Sequence, residues 1–117
     1  MSDKELLDMV GRDLGHSDWL VIDQDRVNAF ADVTLDHQFI HVDPEAAAAT
    51  PFGGPIVHGF LTLSLLVHLA EQVAVRPANM VMGINYGFDK IRFLAPVPVG
   101  SAIRARLTVA DVAERGP

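Results

Sequence analysis

The sequence contains no cysteine, which excludes disulfides, thiolate nucleophiles, cysteine-ligated zinc and iron–sulfur clusters together. Basic side chains are scarce: 9 Lys and Arg stand against 15 Asp and Glu, a formal charge of −6. No basic stripe is there to displace counterions from phosphates, so a nucleic-acid partner is not expected. Long hydrophobic runs are also missing. The most apolar stretch, Ile56 to Ala70, is interrupted by His58 and His68 and falls short of the roughly 20 residues a membrane span needs, so no membrane partner is expected. The start, Met1 to Glu5, is polar and acidic and offers no export signal, which makes the cytoplasm the expected location. Glycine patterns of P-loops and dinucleotide sites are absent. What remains is a chain of 117 residues, half of them hydrophobic and 21% charged. It is long enough for one globular domain with a modest core.

Local patterns give the order of elements. Ser2 and Glu5 have capping-box spacing, and Leu6, Leu7, Val10 and Leu14 recur at helical intervals, predicting a first helix that runs toward Gly15. Trp19 to Ile22 reads as a short strand, and Asp23 as the cap of a second helix carrying Val27, Phe30, Ala31 and Thr34 on one face. The segment from Asp36 to Asp43 reads as irregular. Asp43-Pro44-Glu45 restarts a helix with Asp at the N-cap and Pro at the first position. Pro51 to Pro55 is a loop. Ile56 to Val75, apolar on nearly every face, predicts one long helix surrounded by protein. Met80 to Leu94 predicts a long strand with a β-bulge beside Gly87. Ile103, Ala105, Leu107 and Val109 alternate with polar residues, predicting a last strand with one buried face. The expected class is α+β.

Residues able to move protons are crowded into one part of this chain. Asp36 and His41 lie five positions apart, and His58-Gly59 opens the apolar helix. A carboxylate and an imidazole sharing one water can act as base and acid in an addition or elimination. A glycine at a helix start can present an unobstructed N–H to a developing oxyanion. Taken singly, Asp36 as a turn cap and His41 as a satisfied buried histidine are the commoner readings. In register with His58-Gly59, the set reads as a site.

The runs Phe30-Ala-Asp-Val-Thr-Leu-Asp36-His-Gln-Phe-Ile-His41-Val-Asp43-Pro44 and Gly54-Pro-Ile-Val-His58-Gly59-Phe60 resemble the hydratase-2 motif of MaoC-like dehydratases and (R)-specific enoyl-CoA hydratases. The resemblance continues through Asn85 to Phe93 and Pro96 to Gly100. It implies a single MaoC-like hot-dog domain over residues 1–117: a curved antiparallel sheet wrapped around a long central helix, shortened by its C-terminal strands, and a homodimer. It further implies reversible addition of water to a trans-2-enoyl-CoA, giving the (R)-3-hydroxyacyl-CoA, with Asp36 and His41 as the catalytic pair. Asp36 would take a proton from the water at Cβ and His41 would assist delivery to Cα. The Gly59 N–H would polarise the thioester carbonyl. Coenzyme A would arrive only as part of the acyl-CoA substrate, with no other cofactor and no metal.

Other residues have two readings. His58 either orients the loop by a hydrogen bond or only leads into the helix. Ser64 either reaches the pocket or bonds back to its helix. Asn85 faces ligand or solvent, and His68 is a core or dimer-contact residue. Lys90, Arg92, Arg104 and Arg106 meet the coenzyme phosphates or form a wet strand face. Asp43 is explained as a cap, and His37 has only proximity in its favour. A hot-dog thioesterase is the alternative chemistry, although the long helix offers only Glu71 as a carboxylate. A non-catalytic acyl-CoA-binding or assembly subunit is the alternative without turnover.

Overall fold

The computed structural model describes residues 1–113. Its helices start where the capping chemistry puts them. The Ser2 hydroxyl accepts from the Glu5 N–H, and the Glu5 carboxylate accepts from the Ser2 N–H, opening α1 (Asp3–Leu7). These bonds to Ser2 hold the Glu5 carboxyl below its usual range. The expected continuation to Leu14 does not occur. Gly11 adopts a φ of 88° and donates its N–H to the Val109 carbonyl at 2.6 Å, so the chain turns into β1 (Asp13–His16), where Leu14 is a strand residue. Leu20–Val21 form β2. Asp23 caps α2 (Gln24–Thr34) by accepting from the Arg26 N–H at 2.9 Å.

A short helix that the sequence did not announce, α3 (Phe39–Val42), interrupts the segment read as irregular. Asp43 caps α4 (Pro44–Ala48) as expected, accepting from the Ala46 N–H at 3.1 Å. The apolar helix starts later than expected and is divided into α5 (Gly59–Ser64) and α6 (Leu66–Glu71). The division is slight. Leu65 keeps right-handed backbone, donates to the Leu61 carbonyl at 3.0 Å and accepts from the Leu69 N–H at 3.0 Å. Ile56 and Val57 are extended rather than helical: Ile56 forms a bridge with Pro98, and the Val57 N–H donates to the Val97 carbonyl at 2.8 Å. Burial all round is not achieved, since Phe60 is 67% and Val67 50% exposed.

The last strand is two pieces, β3 (Ala102–Ile103) and β4 (Arg106–Thr108). They pair antiparallel with β2 and β1 respectively. Between the pairs, Ser17 bridges the gap: its N–H donates to the Ala105 carbonyl at 2.8 Å and its hydroxyl accepts from the Ala105 N–H at 2.9 Å. The two sheets therefore follow one another along a single interrupted ribbon. The expected alternation holds, with Ile103, Ala105, Leu107 and Val109 less exposed than Arg104, Arg106 and Thr108.

The long strand over Met80 to Leu94, with its bulge at Gly87, is not formed. Alternating apolar residues favour extended backbone, but a strand exists only where a neighbour takes its N–H and C=O groups. None of the described residues forms such a ladder with it.

The core gathers between α2, α5 and the ribbon. Ile22, Val27, Val57 and Leu61 are buried together, with Phe30 and Ile103 packed on them. Each such side chain contributes about 1.5–3 kcal/mol on burial. Among the described residues no helix is long and apolar enough to cross a membrane.

Candidate active site

The site is assembled by the two turns that leave α2 and enter α5. Leu35, after the last residue of α2, has φ 64° and ψ 26°. This left-handed conformation costs a non-glycine residue roughly 1–2 kcal/mol and takes the chain out of the helix immediately before Asp36. The Asp36 carboxylate is exposed and accepts from the Gln38 N–H at 3.3 Å.

His41 stands on α3 and is buried. Its Nδ1 lies 2.7 Å from the Ile56 carbonyl oxygen. A carbonyl can only accept, so Nδ1 carries the hydrogen and Nε2 of the neutral ring carries the lone pair. His58 is 2% exposed, and its Nε2 donates to the Asp36 carbonyl at 3.0 Å. Of its two readings, the loop-orienting hydrogen bond is the one found. The remaining nitrogen, Nδ1, has no partner among the described residues. The two imidazoles stack with centroids 3.9 Å apart and planes at 24°, and Phe30 tilts against His58 at 5.0 Å. Gln24 ties α2 to this group by donating to the His41 carbonyl at 2.8 Å.

Ligating atoms of Asp36, His41 and His58 all lie within 4.8 Å of one another, so these are the described residues that could hold a metal ion. Bonds of about 2.0–2.2 Å to a tetrahedral ion would bring ligand atoms to within roughly 3.5 Å of each other. Separations within 4.8 Å also admit a single water between the carboxylate and the His41 ring. A water donating to two acceptors spans about 4.5 Å between them.

Gly59 is the first residue of α5, and the first N–H groups of a helix have no acceptor within it. A Cβ at Gly59 would stand 3.1 Å from ring carbons of Phe93. The ring thus lies against the glycine, and any side chain here would displace it. A cavity of about 420 Å³ opens at this point, bordered by His41, Gly59, Thr62, Phe93 and Val97. That volume lies within the range of small-molecule sites.

The structure therefore brings Asp36, His41, His58 and Gly59 together and leaves the other candidates apart. Ser64 donates its hydroxyl to the Phe60 carbonyl at 2.7 Å and borders another hollow with Asn85, which is exposed. Neither borders the cavity at His41. His68 is exposed, which rules out the core reading. His37 is 2.9 Å from Asp32 and takes no part. The basic cluster is dispersed: Arg106 bonds Asp13 at 3.0 Å, Arg104 lies over the Trp19 ring at 4.3 Å, and of these residues Arg92 reaches the cavity. Sequence reasoning missed Thr62 and Phe93. Thr62 stands one helical turn after His58, a spacing that placed it beside the site. Phe93 is distant in sequence and gave no local signal.

Comparison with known proteins places the chain in a family. A family model described as "MaoC like domain" matches residues 5–116. "Nodulation protein N" of Rhizobium meliloti is 53% identical over 104 residues, covering 88% of this chain and 65% of that protein. "3-hydroxyacyl-thioester dehydratase Z" of Mycobacterium tuberculosis is 51% identical over 112 residues, covering 96% of this chain and 74% of that protein. The chain thus spans about two thirds to three quarters of these relatives' lengths. Among solved structures, the (R)-hydratase from A. caviae superposes with a TM-score of 0.70 at 31% identity, covering 90% of this chain and 74% of that one. The broken ribbon and the two-part helix are accordingly pieces of a hot-dog fold, and the chain belongs to the MaoC-like domain family.

Proposed function

We propose that the chain is an (R)-specific enoyl-CoA hydratase, adding water reversibly to a trans-2-enoyl-CoA to give the (R)-3-hydroxyacyl-CoA. The observation that carries this reading is the convergence of His41 and Gly59 on one apolar cavity, with Asp36 within 4.8 Å of His41. A water held between the Asp36 carboxylate and the His41 Nε2 lone pair gives up a proton to Asp36 as its oxygen bonds to Cβ. The Gly59 N–H stabilises the enolate oxygen, and the proton taken up by Asp36 is returned to Cα with His41 assisting its delivery, which leaves the carboxylate and the ring as they began. One O–H bond and the π component of the Cα=Cβ bond are broken, and one C–O and one C–H bond are formed, so the step balances without a redox partner or bound cofactor. His58 touches no reacting atom; it positions the loop through the Asp36 carbonyl. Coenzyme A enters with the substrate, and no metal is required.

A thioesterase is less well supported. Glu71, the carboxylate of the α5–α6 rod, is exposed at its far end, 4.0 Å from Arg76. The quaternary state that fits the exposed apolar segment over Met80 to Leu94 is a homodimer, a second copy covering it, and the expected location is the cytoplasm.

Two assays on one sample test the reading: loss of the conjugated enoyl-thioester absorbance, and release of free thiol. Absorbance loss without thiol is expected. Thiol release would establish a thioesterase, and neither signal, with acyl-CoA still bound, would establish a binding subunit.

A further inference from the structure

Apolar space along the α5–α6 rod continues beyond the catalytic cavity. A second cavity of about 330 Å³ lies next to it, walled by Leu66 and Leu69 of α6 and by Ile103 and Ala105 of the ribbon. Three residues border both cavities: Thr62, Arg92 and Phe93. Thr62 is fixed on α5, and the Arg92 guanidinium is turned back to the Ile91 carbonyl at 3.0 Å. Phe93 is the remaining divider. Its ring rests on Gly59 and meets Phe60 edge-on, with centroids 5.9 Å apart and planes at 73°. In the single chain the residue is 54% exposed, and its ring contacts are those to Gly59 and Phe60.

We propose that Phe93 is a specificity-determining residue: its ring separates the catalytic cavity from the second apolar cavity, and its displacement joins the two for long acyl chains. The proposal rests on the hydratase reading in taking an acyl thioester as the ligand. A short chain is accommodated with the ring in place. A longer chain must move it to reach the Leu66 and Leu69 wall, where each methylene buried strengthens binding by about fourfold. Preference for chain length is then set by the side chain at position 93 and by the free volume behind it.

The test compares trans-2-dodecenoyl-CoA with trans-2-butenoyl-CoA in the full chain, in Phe93→Ala and in Leu66→Phe, which fills the second cavity from the opposite wall. The ratio of the two kcat/KM values is expected to rise roughly tenfold in Phe93→Ala and to fall by a similar factor in Leu66→Phe. Ratios unmoved in both variants overturn the proposal while leaving the hydratase reading intact. Calorimetric binding of dodecanoyl-CoA and butanoyl-CoA to the same proteins reads the divider without turnover. No hydration by the parent chain, together with the expected shift in binding ratio, would sink the hydratase reading and keep the role of Phe93. Neither hydration nor a shifted ratio would sink both. If Phe93→Ala fails to fold, Phe93→Leu and Leu66→Phe carry the same comparison.

Discussion

Two regions of this chain carry apolar residues in similar density and meet opposite fates. Between Ile22 and Leu69, apolar side chains close over Val27 and Leu61, and each of the two buried rings has one nitrogen on a carbonyl: His41 on Ile56, His58 on Asp36. Between Met80 and Leu94, apolar residues alternate with others on either side of the Gly87 break, yet Val81 is 90% and Leu94 91% exposed. The difference lies in the backbone. Helices and capped turns satisfy their own N–H and C=O groups, whereas an extended segment depends on a neighbour. The frame of the candidate site is self-sufficient, while the wall facing it is not.

The sharpest way to break that contrast is at the frame. Asp36→Asn removes the proposed base and should lower hydration by about a thousandfold, with an unchanged melting temperature, because the exposed carboxylate accepts a single long bond from Gln38. Enoyl-thioester kinetics beside a thermal melt check this; near-normal turnover refutes the assignment.

Next in size is His58→Ala. It opens a void beneath Phe30 and leaves the Asp36 carbonyl without its donor, a loss of about 2–4 kcal/mol measurable by denaturant titration. A loss below the range of ordinary surface substitutions would mean that the frame does not depend on this ring.

At the wall, Ile84→Lys with Phe88→Lys should leave unfolding of the monomer nearly unchanged, since both residues are exposed, and should shift the proposed dimer to monomer in light scattering. An equally large loss of monomer stability would show the segment to be core.

The smallest effect belongs to the ribbon. The hydrogen bond from Arg106 holds the Asp13 carboxyl below its usual value. The stability this gives is present above the ordinary carboxylate range and is lost as pH falls through the depressed value. Asp13→Asn should slightly lower stability at neutral pH and flatten its fall toward acid, in melts recorded across that window. Exposure of the pair keeps the effect small.

The contrast also explains which parts of the molecule were legible in advance. Caps were readable because they are local: Ser2, Asp23 and Asp43 each accept from an N–H three residues on. Asp36, His41 and Gly59 were readable as a family pattern, and the structure brings them together. The end of α1 was not readable, because Gly11 turns there to meet Val109, nearly the whole chain away. The strand over Met80 to Leu94 was misread for the converse reason, since periodicity reports a preference and not the presence of a partner. Phe93 lay in a family-like run but was not singled out as a site residue, because its contact with Gly59 is made across the fold.

The reciprocal tie between the two site loops has a consequence for exchange between relatives. His41 belongs to the first segment and is held by a carbonyl of the second; His58 belongs to the second and is held by a carbonyl of the first. Each loop supplies what fixes the other's ring, so a chimera joined anywhere between Val42 and Pro55 would inherit half of each bond from a different parent. Such hybrids should keep activity only when both parents present those carbonyls at the same height. The two motifs, though separated in sequence, are one heritable part.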